Sequence, residues 1–139
     1  APLYWWKEFD TYKVGTVANS CSTMHKIHAK EFTMDDFSHE QLNTANRILL
    51  AAFIGCLEAN RKMFLALEGS EAKQAWYQMI QLLPTSYNQK RTVMLNYEVL
   101  ANIYKSRKNH KLDEWHELCS WIESLPYSEL ITGKGGTNE

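Results

Sequence analysis

Three residues suited to binding a phosphate or a nucleotide lie in one helical stretch, together with Leu100, in the C-terminal half of the chain. Asn96, Asn102 and Arg107 lie in the segment 83–121, LPTSYNQKRTVMLNYEVLANIYKSRKNHKLDEWHELCSW. An Arg in the last turn of a helix can offer a planar fork of N–H donors to a phosphate. A cation at the same position also stabilises the helix dipole, so the spacing predicts either an anion site or a structural charge.

The neighbours of these residues leave both interpretations open. The turn after Arg107 contains Lys108, His110 and Lys111, which fit a phosphate-binding cluster and a solvated basic surface equally well. Asn96 comes immediately before a helical stretch, where an Asn side chain is a good cap. For Asn96, capping is therefore favoured over contact with a ligand.

A second group of reactive side chains follows the first helix. Cys21 and His25 would form a thiolate nucleophile only if the loop brought them together. A zinc site made of Cys21, His25 and His28 lacks a fourth ligand. We interpret these as polar loop residues and predict no metal site. The spacing pairs neither Glu8 nor Asp10 with a partner.

The order of residues across 83–121 resembles the nucleotide-binding C-terminal part of the flavin-dependent thymidylate synthases. The residues that carry this resemblance are Leu83, Pro84, Tyr87, Asn96, Leu100, Asn102, Arg107 and Glu114. The opening APLYWWKEFDTYK is similar to the Ala-Pro and aromatic helix that lead into the signature of that family. The resemblance covers residues 1–24 and 81–124.

The resemblance implies two overlapping sets of site residues, without assigning a catalytic residue. The nucleotide or phosphate set is Lys13, Asn19, Ser20, Ser22 and Arg107. The cofactor set is Tyr12, Lys13, Asn96, Asn102 and Arg107. The resemblance also implies FAD as cofactor, dUMP or another nucleotide as ligand, and a homo-oligomer, because family members carry their sites between the subunits of a homotetramer.

The chain departs from the family signature where the chemistry takes place. The Arg-His-Arg positions of the signature read Thr11-Tyr12-Lys13, and Lys13 keeps a cation without the planar fork of an Arg. The following loop keeps Asn and Ser but has Ser20 where the family has Glu, and Thr23 or Met24 where the family has Arg. We therefore expect altered or lost catalysis.

The predicted fold is α+β and mostly helical, a thymidylate-synthase-complementing-like domain with a small sheet and a long central helix. We expect one domain over 1–132 and a disordered tail over 133–139. Helices are predicted after Pro2 and over 38–67, 71–83, 96–106 and 113–124, with a strand over 86–95 and a long loop over 15–37. In the longest helix, Ser38 is the expected N-cap, and the expected buried stripe consists of Leu42, Ala45, Leu49, Phe53, Cys56 and Met63.

Composition narrows the class of protein. A net charge of −1 argues against a surface for a nucleic-acid polymer, which is normally strongly basic. The longest apolar run, 48–56, is much shorter than the roughly 20 residues that span a bilayer, and no secretory signal is visible. Three cysteines form neither an even disulfide set nor a zinc motif, which favours a reducing cytoplasm. A small divergent member of the family would suit a phage or mobile element.

Three functions are consistent with these observations. The favoured one is a nucleotide-binding protein with a flavin-dependent thymidylate synthase-like fold and altered or lost catalysis. The second is an active synthase, in which FAD supplies hydride, methylenetetrahydrofolate supplies carbon, and dUMP is converted to dTMP. The third is an oligomeric interaction module with a vestigial site.

Overall fold

Helices make up most of the secondary structure in the computed structural model, which describes residues 1–12, 16–20 and 23–133. The helices are α1 (Leu3–Phe9), α2 (Thr23–Lys26), α3 (Thr44–Ala66), α4 (Gly69–Leu82), α5 (Tyr97–Arg107), α6 (Asp113–Glu123) and α7 (Glu129–Thr132), with a 3-10 turn at Met34–Asp36. The strands β1 (Thr16–Ser20) and β2 (Arg91–Leu95) pair in a two-stranded sheet. The predicted class, mostly helical with a small sheet and a long central helix, is confirmed. From residue 134 onwards, the predicted disordered tail lies outside the described residues.

Two compact units divide the chain, and each is described separately. Unit 1 contains residues 1–6 and 20–90, and unit 2 contains 7–19 and 91–139. The expectation of a single domain over 1–132 stays a prediction.

Unit 1 is built around an antiparallel pair of helices, α3 and α4. Its core consists of side chains from α3, α4 and the stretch before them, Ile27, Phe32, Phe37, Ile54, Leu57 and Met79. The N-terminal segment joins this unit through its backbone, because the N–H groups of Leu3 and Tyr4 donate to the carbonyls of Tyr87 and Thr85. Burial of Trp5 and Trp6 adds apolar area to the same unit.

The N-terminus of α3 differs from the prediction. The helix begins at Thr44, and Asn43 is its cap, with a side-chain oxygen that accepts from the N–H of Asn46 at 2.9 Å. Ser38 instead donates its N–H to the carbonyl of Ser86 at 2.9 Å, and its hydroxyl bonds the Asn88 side chain at 3.1 Å. These bonds hold the backbone at Ser38 outside the helix, so the predicted N-cap at Ser38 was wrong.

The buried face of α3 also differs from the prediction. Ile54 and Leu57 are the buried residues of this helix, whereas Leu49 is 67% exposed and Met63 is 51% exposed. The helix carries apolar residues on two faces, and periodicity alone cannot identify the face that packs on the core. The predicted stripe therefore lies largely on the surface.

The stretch 15–37 contains short elements that the sequence analysis missed. Within the described residues of this stretch, β1, α2 and the 3-10 turn replace the predicted loop. Elements this short carry too few residues to show a hydrophobic period. Phe37 is nevertheless buried, and its backbone forms an isolated antiparallel bridge with Tyr87.

Unit 2 packs α5, α6 and α7 around a core that includes Phe9, Leu100, Ile103, Trp115 and Ile122. The predicted helices over 96–106 and 113–124 are confirmed within one or two residues at each end. Leu112, rather than Asp113, is the residue that precedes α6. Asp113 lies in the first turn, where a carboxylate favours the helix dipole. The short α7, which is followed by Gly133 in a left-handed conformation (φ 68°), was not predicted.

Removal of buried apolar volume from α3 should distinguish its two faces. We expect Leu57→Ala to lower the free energy of unfolding by about 2–5 kcal/mol, because Leu57 is fully buried and its truncation leaves a cavity. The matched control is Leu65→Ala in the same helix, where the side chain is 56% exposed, and its cost should stay within about 0.5 kcal/mol. Urea unfolding measures both values. Equal costs would contradict the assignment of the buried face.

The Asp36 carboxylate makes the stability of unit 1 depend on pH. Burial acts to raise the pKa of Asp36, but hydrogen bonds from Lys30 Nζ at 2.8 Å and Thr33 N–H at 2.9 Å outweigh it, so the pKa is lowered. A lowered pKa in the folded state stabilises the protein above the ordinary value of about 3.9, and this stabilisation is lost as pH falls through the folded pKa.

Asp36→Asn should therefore destabilise the protein at pH 7 by about 1 kcal/mol, which is the typical value of a side chain that caps a turn. The difference from wild type should shrink when urea unfolding is repeated near pH 2.5. The control Asp35→Asn makes the same charge change on an exposed neighbour and should have little effect at either pH. A destabilisation by Asp36→Asn that persists unchanged at low pH would contradict this assignment.

Candidate functional site

Arg107 lies at the end of α5 and its guanidinium is held on several sides. Its Nε donates to the Tyr12 hydroxyl at 2.9 Å, and its Nη1 lies 3.3 Å from Glu8 Oε2. The guanidinium carbon is 4.7 Å from the centre of the Trp115 ring and 5.6 Å from that of Tyr12, within the range of cation–π contacts. The Arg107 side chain is 20% exposed. Arg107, which was predicted to bind a phosphate, therefore already has a carboxylate partner within the protein.

Glu8 is the residue of the site whose carboxylate lies close to three other side chains. Its Oε2 accepts from Trp115 Nε1 at 2.9 Å and from Arg107 at 3.3 Å, and it lies 3.4 Å from His110 Nε2. His110 Nδ1 accepts from the N–H of Leu112 at 3.2 Å, so the neutral ring carries its proton on Nε2, facing Glu8. We call Glu8, Tyr12, Arg107, His110 and Trp115 the Glu8–Arg107 cluster.

The Tyr12 hydroxyl extends the cluster along α5. It lies 2.7 Å from Ser106 Oγ, and that Ser hydroxyl also donates to the carbonyl of Asn102 at 2.8 Å. The Tyr12 oxygen also accepts from Arg107 Nε at 2.9 Å. The phenol is thus held by two side chains of α5.

Local structure explains how residues so distant in sequence meet. Glu8 belongs to α1, and turns from Glu8 to Thr11 and from Phe9 to Tyr12 bring both polar side chains to the end of that helix. Phe9 is buried, and its ring stacks at 6.5 Å from Trp115. Apolar packing therefore orients α1, and the polar cluster forms at the edge of that packing.

The predicted site residues are only partly brought together. Tyr12 and Arg107 are in direct contact. Asn96 caps α5, with its side-chain oxygen accepting from the N–H of Val99 at 3.0 Å, so the capping interpretation is confirmed. Asn102 is exposed on α5. Contact of either Asn with a flavin stays a prediction.

The side chains of the remaining predicted residues are not among those that the structure describes. Lys13 and Ser22 lie outside the described residues. Asn19 and Ser20 end β1, and only their backbone is described. Their roles at a nucleotide or phosphate site stay predictions.

The basic residues in the turn after α5, which fit a phosphate cluster or a solvated surface equally well, have different surroundings. Lys108 Nζ lies 5.8 Å from the centre of the Tyr104 ring, while His110 faces Glu8. Lys111 is exposed. Glu8 and Asp10, which their spacing did not pair, both have partners, and Asp10 Oδ1 is 2.7 Å from Arg91 Nη1. These partners are far apart in sequence, so helical spacing gave no signal for them.

Cys21, His25 and His28 are the residues considered as a nucleophile or a zinc site, and the structure describes the two histidines. In the described part of the chain, no three His, Cys, Asp or Glu side chains come together as metal ligands. His28 packs against Phe64, with ring centres 4.6 Å apart, and His25 is exposed. Cys21 lies outside the described residues. Burial, followed by the charge of Glu123, raises the pKa of the Cys119 thiol, which keeps it protonated.

The cluster is suited to binding rather than to nucleophilic chemistry. It combines a guanidinium, a carboxylate, an imidazole, a phenol and an indole, an arrangement that can hold a polar planar or anionic group.

Among the helices of the described ranges, none is both long and apolar enough to cross a membrane.

Comparison with known proteins identifies the fold. No protein-family profile and no curated protein sequence matches the chain. Two crystal structures of flavin-dependent thymidylate synthase ThyX from Helicobacter pylori, each with FAD and dUMP, superpose with a TM-score of 0.61 at 16% sequence identity. Each match covers 96% of this chain and 67% or 68% of the ThyX chain. The chain therefore has a ThyX-like fold.

Proposed function

We propose that this chain is a nucleotide-binding protein that uses a flavin-dependent thymidylate synthase-like fold with altered or lost catalysis. The observation that carries the proposal is the meeting of Tyr12 and Arg107, two predicted site residues 95 positions apart, within a fold whose Helicobacter pylori counterparts hold FAD and dUMP. The ligand is dUMP or another nucleotide.

The proposed site combines the cluster with the N-terminal loop. The contact between Arg107 and Tyr12 supports the assignment of these two residues, and Lys13, Asn19, Ser20 and Ser22 are assigned to the phosphate side. Lys13 supplies a point charge and the hydroxyls supply hydrogen bonds, which together suit a single phosphate group. Asn96 and Asn102 are assigned to a cofactor side along α5, where both side chains are exposed.

The proposal of altered catalysis rests on the residues at the signature. In place of the family's Arg-His-Arg the chain has Thr11-Tyr12-Lys13, and Tyr12 is hydrogen-bonded to both Arg107 and Ser106. A phenol held in this way offers neither the positive charge of the signature Arg nor the titration of the signature His near neutral pH. With Lys13 as the one cation left at the signature positions, activation of a pyrimidine by electrostatics is weakened.

An active FAD-dependent synthase that methylates dUMP to dTMP is the second candidate, favoured by the two ligands of the Helicobacter pylori structures. Absorbance after incubation with FAD and desalting distinguishes the two candidates. A retained flavin spectrum together with dTMP formation from dUMP and methylenetetrahydrofolate would establish the synthase. We expect dUMP binding without turnover.

Replacement of Arg107 should weaken nucleotide binding. We expect Arg107→Ala to raise the Kd for dUMP at least tenfold, because a charge-assisted hydrogen bond contributes about 1.5–3 kcal/mol. Lys105→Ala is the matched control, since it removes a cation from the same last turn of α5. Calorimetric titration measures both variants, after circular dichroism confirms that each is folded. Unchanged affinity in Arg107→Ala would contradict the proposed site.

The surface of α3 supports the homo-oligomer, which we propose as the working state of the protein. Its exposed apolar face consists of seven residues that recur at helical spacing, Ala45, Ile48, Leu49, Ala52, Cys56, Ala59 and Met63. Ile48 and Leu49 are each 67% exposed. No charged side chain interrupts the face, so its burial against a second copy would desolvate no charge.

The sizes of these residues fit an antiparallel pairing of two copies. With a two-fold axis at the level of residue 54, Leu49 of one copy faces Ala59 of the other. Ala45 then faces Met63, and Ala52 faces Cys56. In the pairs of Leu49 with Ala59 and Ala45 with Met63, a larger side chain meets a small one, which suits an isologous interface between closely packed helices. Free thiols at Cys56 and Cys119 are in keeping with the proposed cytoplasmic location.

A cysteine placed opposite Cys56 should report this pairing. We expect Ala52→Cys to form a disulfide-linked dimer under mild oxidation, because facing small residues bring Cα atoms within disulfide reach. Ala51→Cys, an exposed neighbour off the apolar face, should not form one. Non-reducing gel electrophoresis measures both variants. Equal cross-linking of the two, or a dimer that survives the added substitution Cys56→Ser, would contradict the proposed interface.

A further inference from the structure

The charge balance of the Glu8–Arg107 cluster has a consequence for the ligands it accepts. Glu8 Oε2 is 3.3 Å from Arg107 Nη1, and the Arg107 side chain is 20% exposed while that of Glu8 is 36% exposed. Opposite charges this close attract each other, and the attraction is stronger where one partner is partly withdrawn from water. The carboxylate therefore cancels much of the positive potential that an incoming phosphate would meet.

Other groups keep Glu8 in this position. Trp115 is fully buried, and its indole N–H donates to the same Oε2 atom at 2.9 Å. His110 Nε2 approaches that atom at 3.4 Å. A carboxylate oxygen that accepts from both Trp115 and Arg107 is costly to displace, because its departure would remove the acceptor of the buried indole N–H.

The guanidinium nevertheless keeps an edge for a ligand. Its hydrogen bonds to Tyr12 and Glu8 use Nε and Nη1. Nη2 has no partner among the described residues and carries two N–H donors. A ligand can therefore reach Arg107 while the ion pair stays intact, but each negative charge it brings is placed near Glu8.

We propose that Glu8 is the residue that sets the ligand charge at this site: it is an internal counter-ion of Arg107 and lowers the affinity of the cluster for highly charged phosphates. This inference rests on the proposed function only in treating the cluster as part of the nucleotide site. The wild-type protein accordingly favours a monophosphate over a di- or triphosphate. Loss of the carboxylate opens the guanidinium to anions.

The test is a calorimetric titration with inorganic pyrophosphate, a probe without a base or sugar. We expect Glu8→Gln to bind pyrophosphate about tenfold more tightly than wild type, because one negative charge is removed beside Arg107 while an oxygen remains to accept from Trp115. Glu8→Asp keeps the charge and should show no such gain. Glu117→Gln makes the same net charge change on an exposed part of α6 and should gain less than twofold.

A Glu8→Gln variant that folds without a gain in pyrophosphate affinity would overturn the inference, as would an equal gain in Glu117→Gln. If Glu8→Gln does not fold, Glu8→Ser removes the same charge with a smaller side chain and is judged by the same criterion. The outcome is separable from that of the proposed function. Wild type that binds dUMP while Glu8→Gln shows no gain refutes this inference alone, whereas a gain without dUMP binding refutes the proposed function alone.

Discussion

A single carboxylate oxygen connects the elements on which the site depends. Glu8 Oε2, at the end of α1, faces Arg107 at the end of α5, His110 in the following turn and Trp115 in α6. Because Trp115 is fully buried, its N–H needs an acceptor, and Glu8 is the acceptor that the fold supplies. The direction of the Arg107 guanidinium, and with it the position of the Tyr12 phenol, follows from that requirement. The polar site thus lies at the edge of the unit 2 core.

Sequence reasoning identified the elements of the site better than their partners. The helix that carries Arg107 and the cap at Asn96 follow from local rules, because a cap involves residues three apart. The pairing of Glu8 with Arg107 joins residues 99 positions apart, which no helical period can reveal. In α3 the period was found but assigned to the wrong face. Both apolar stripes repeat at helical spacing, and only the packing of Leu57 on α4 and its neighbours decides between them.

The fold and the chemistry of the site are separate questions in this molecule. Likeness to ThyX extends over 96% of the chain at 16% identity, which is enough to define the path of the backbone. The charged pair of the cluster is Glu8 and Arg107, and the sequence reads Thr11-Tyr12-Lys13 where the resemblance leads one to expect Arg-His-Arg. A scaffold can keep its shape while such substitutions change which ligand it holds and what reaction follows. The proposed function therefore rests on the residues of the Glu8–Arg107 cluster, and the fold supplies the backbone that positions them.

The most direct test of the central claim is a map of nucleotide binding onto the chain in solution. Backbone amide resonances of the isotopically labelled protein would be recorded by NMR during titration with dUMP. The proposed site predicts saturable shifts concentrated at residues 8–22 and 102–115, with little change at 60–75 in α3 and α4. Absence of saturable shifts, or shifts confined to α3 and α4, would contradict a nucleotide site at the Glu8–Arg107 cluster.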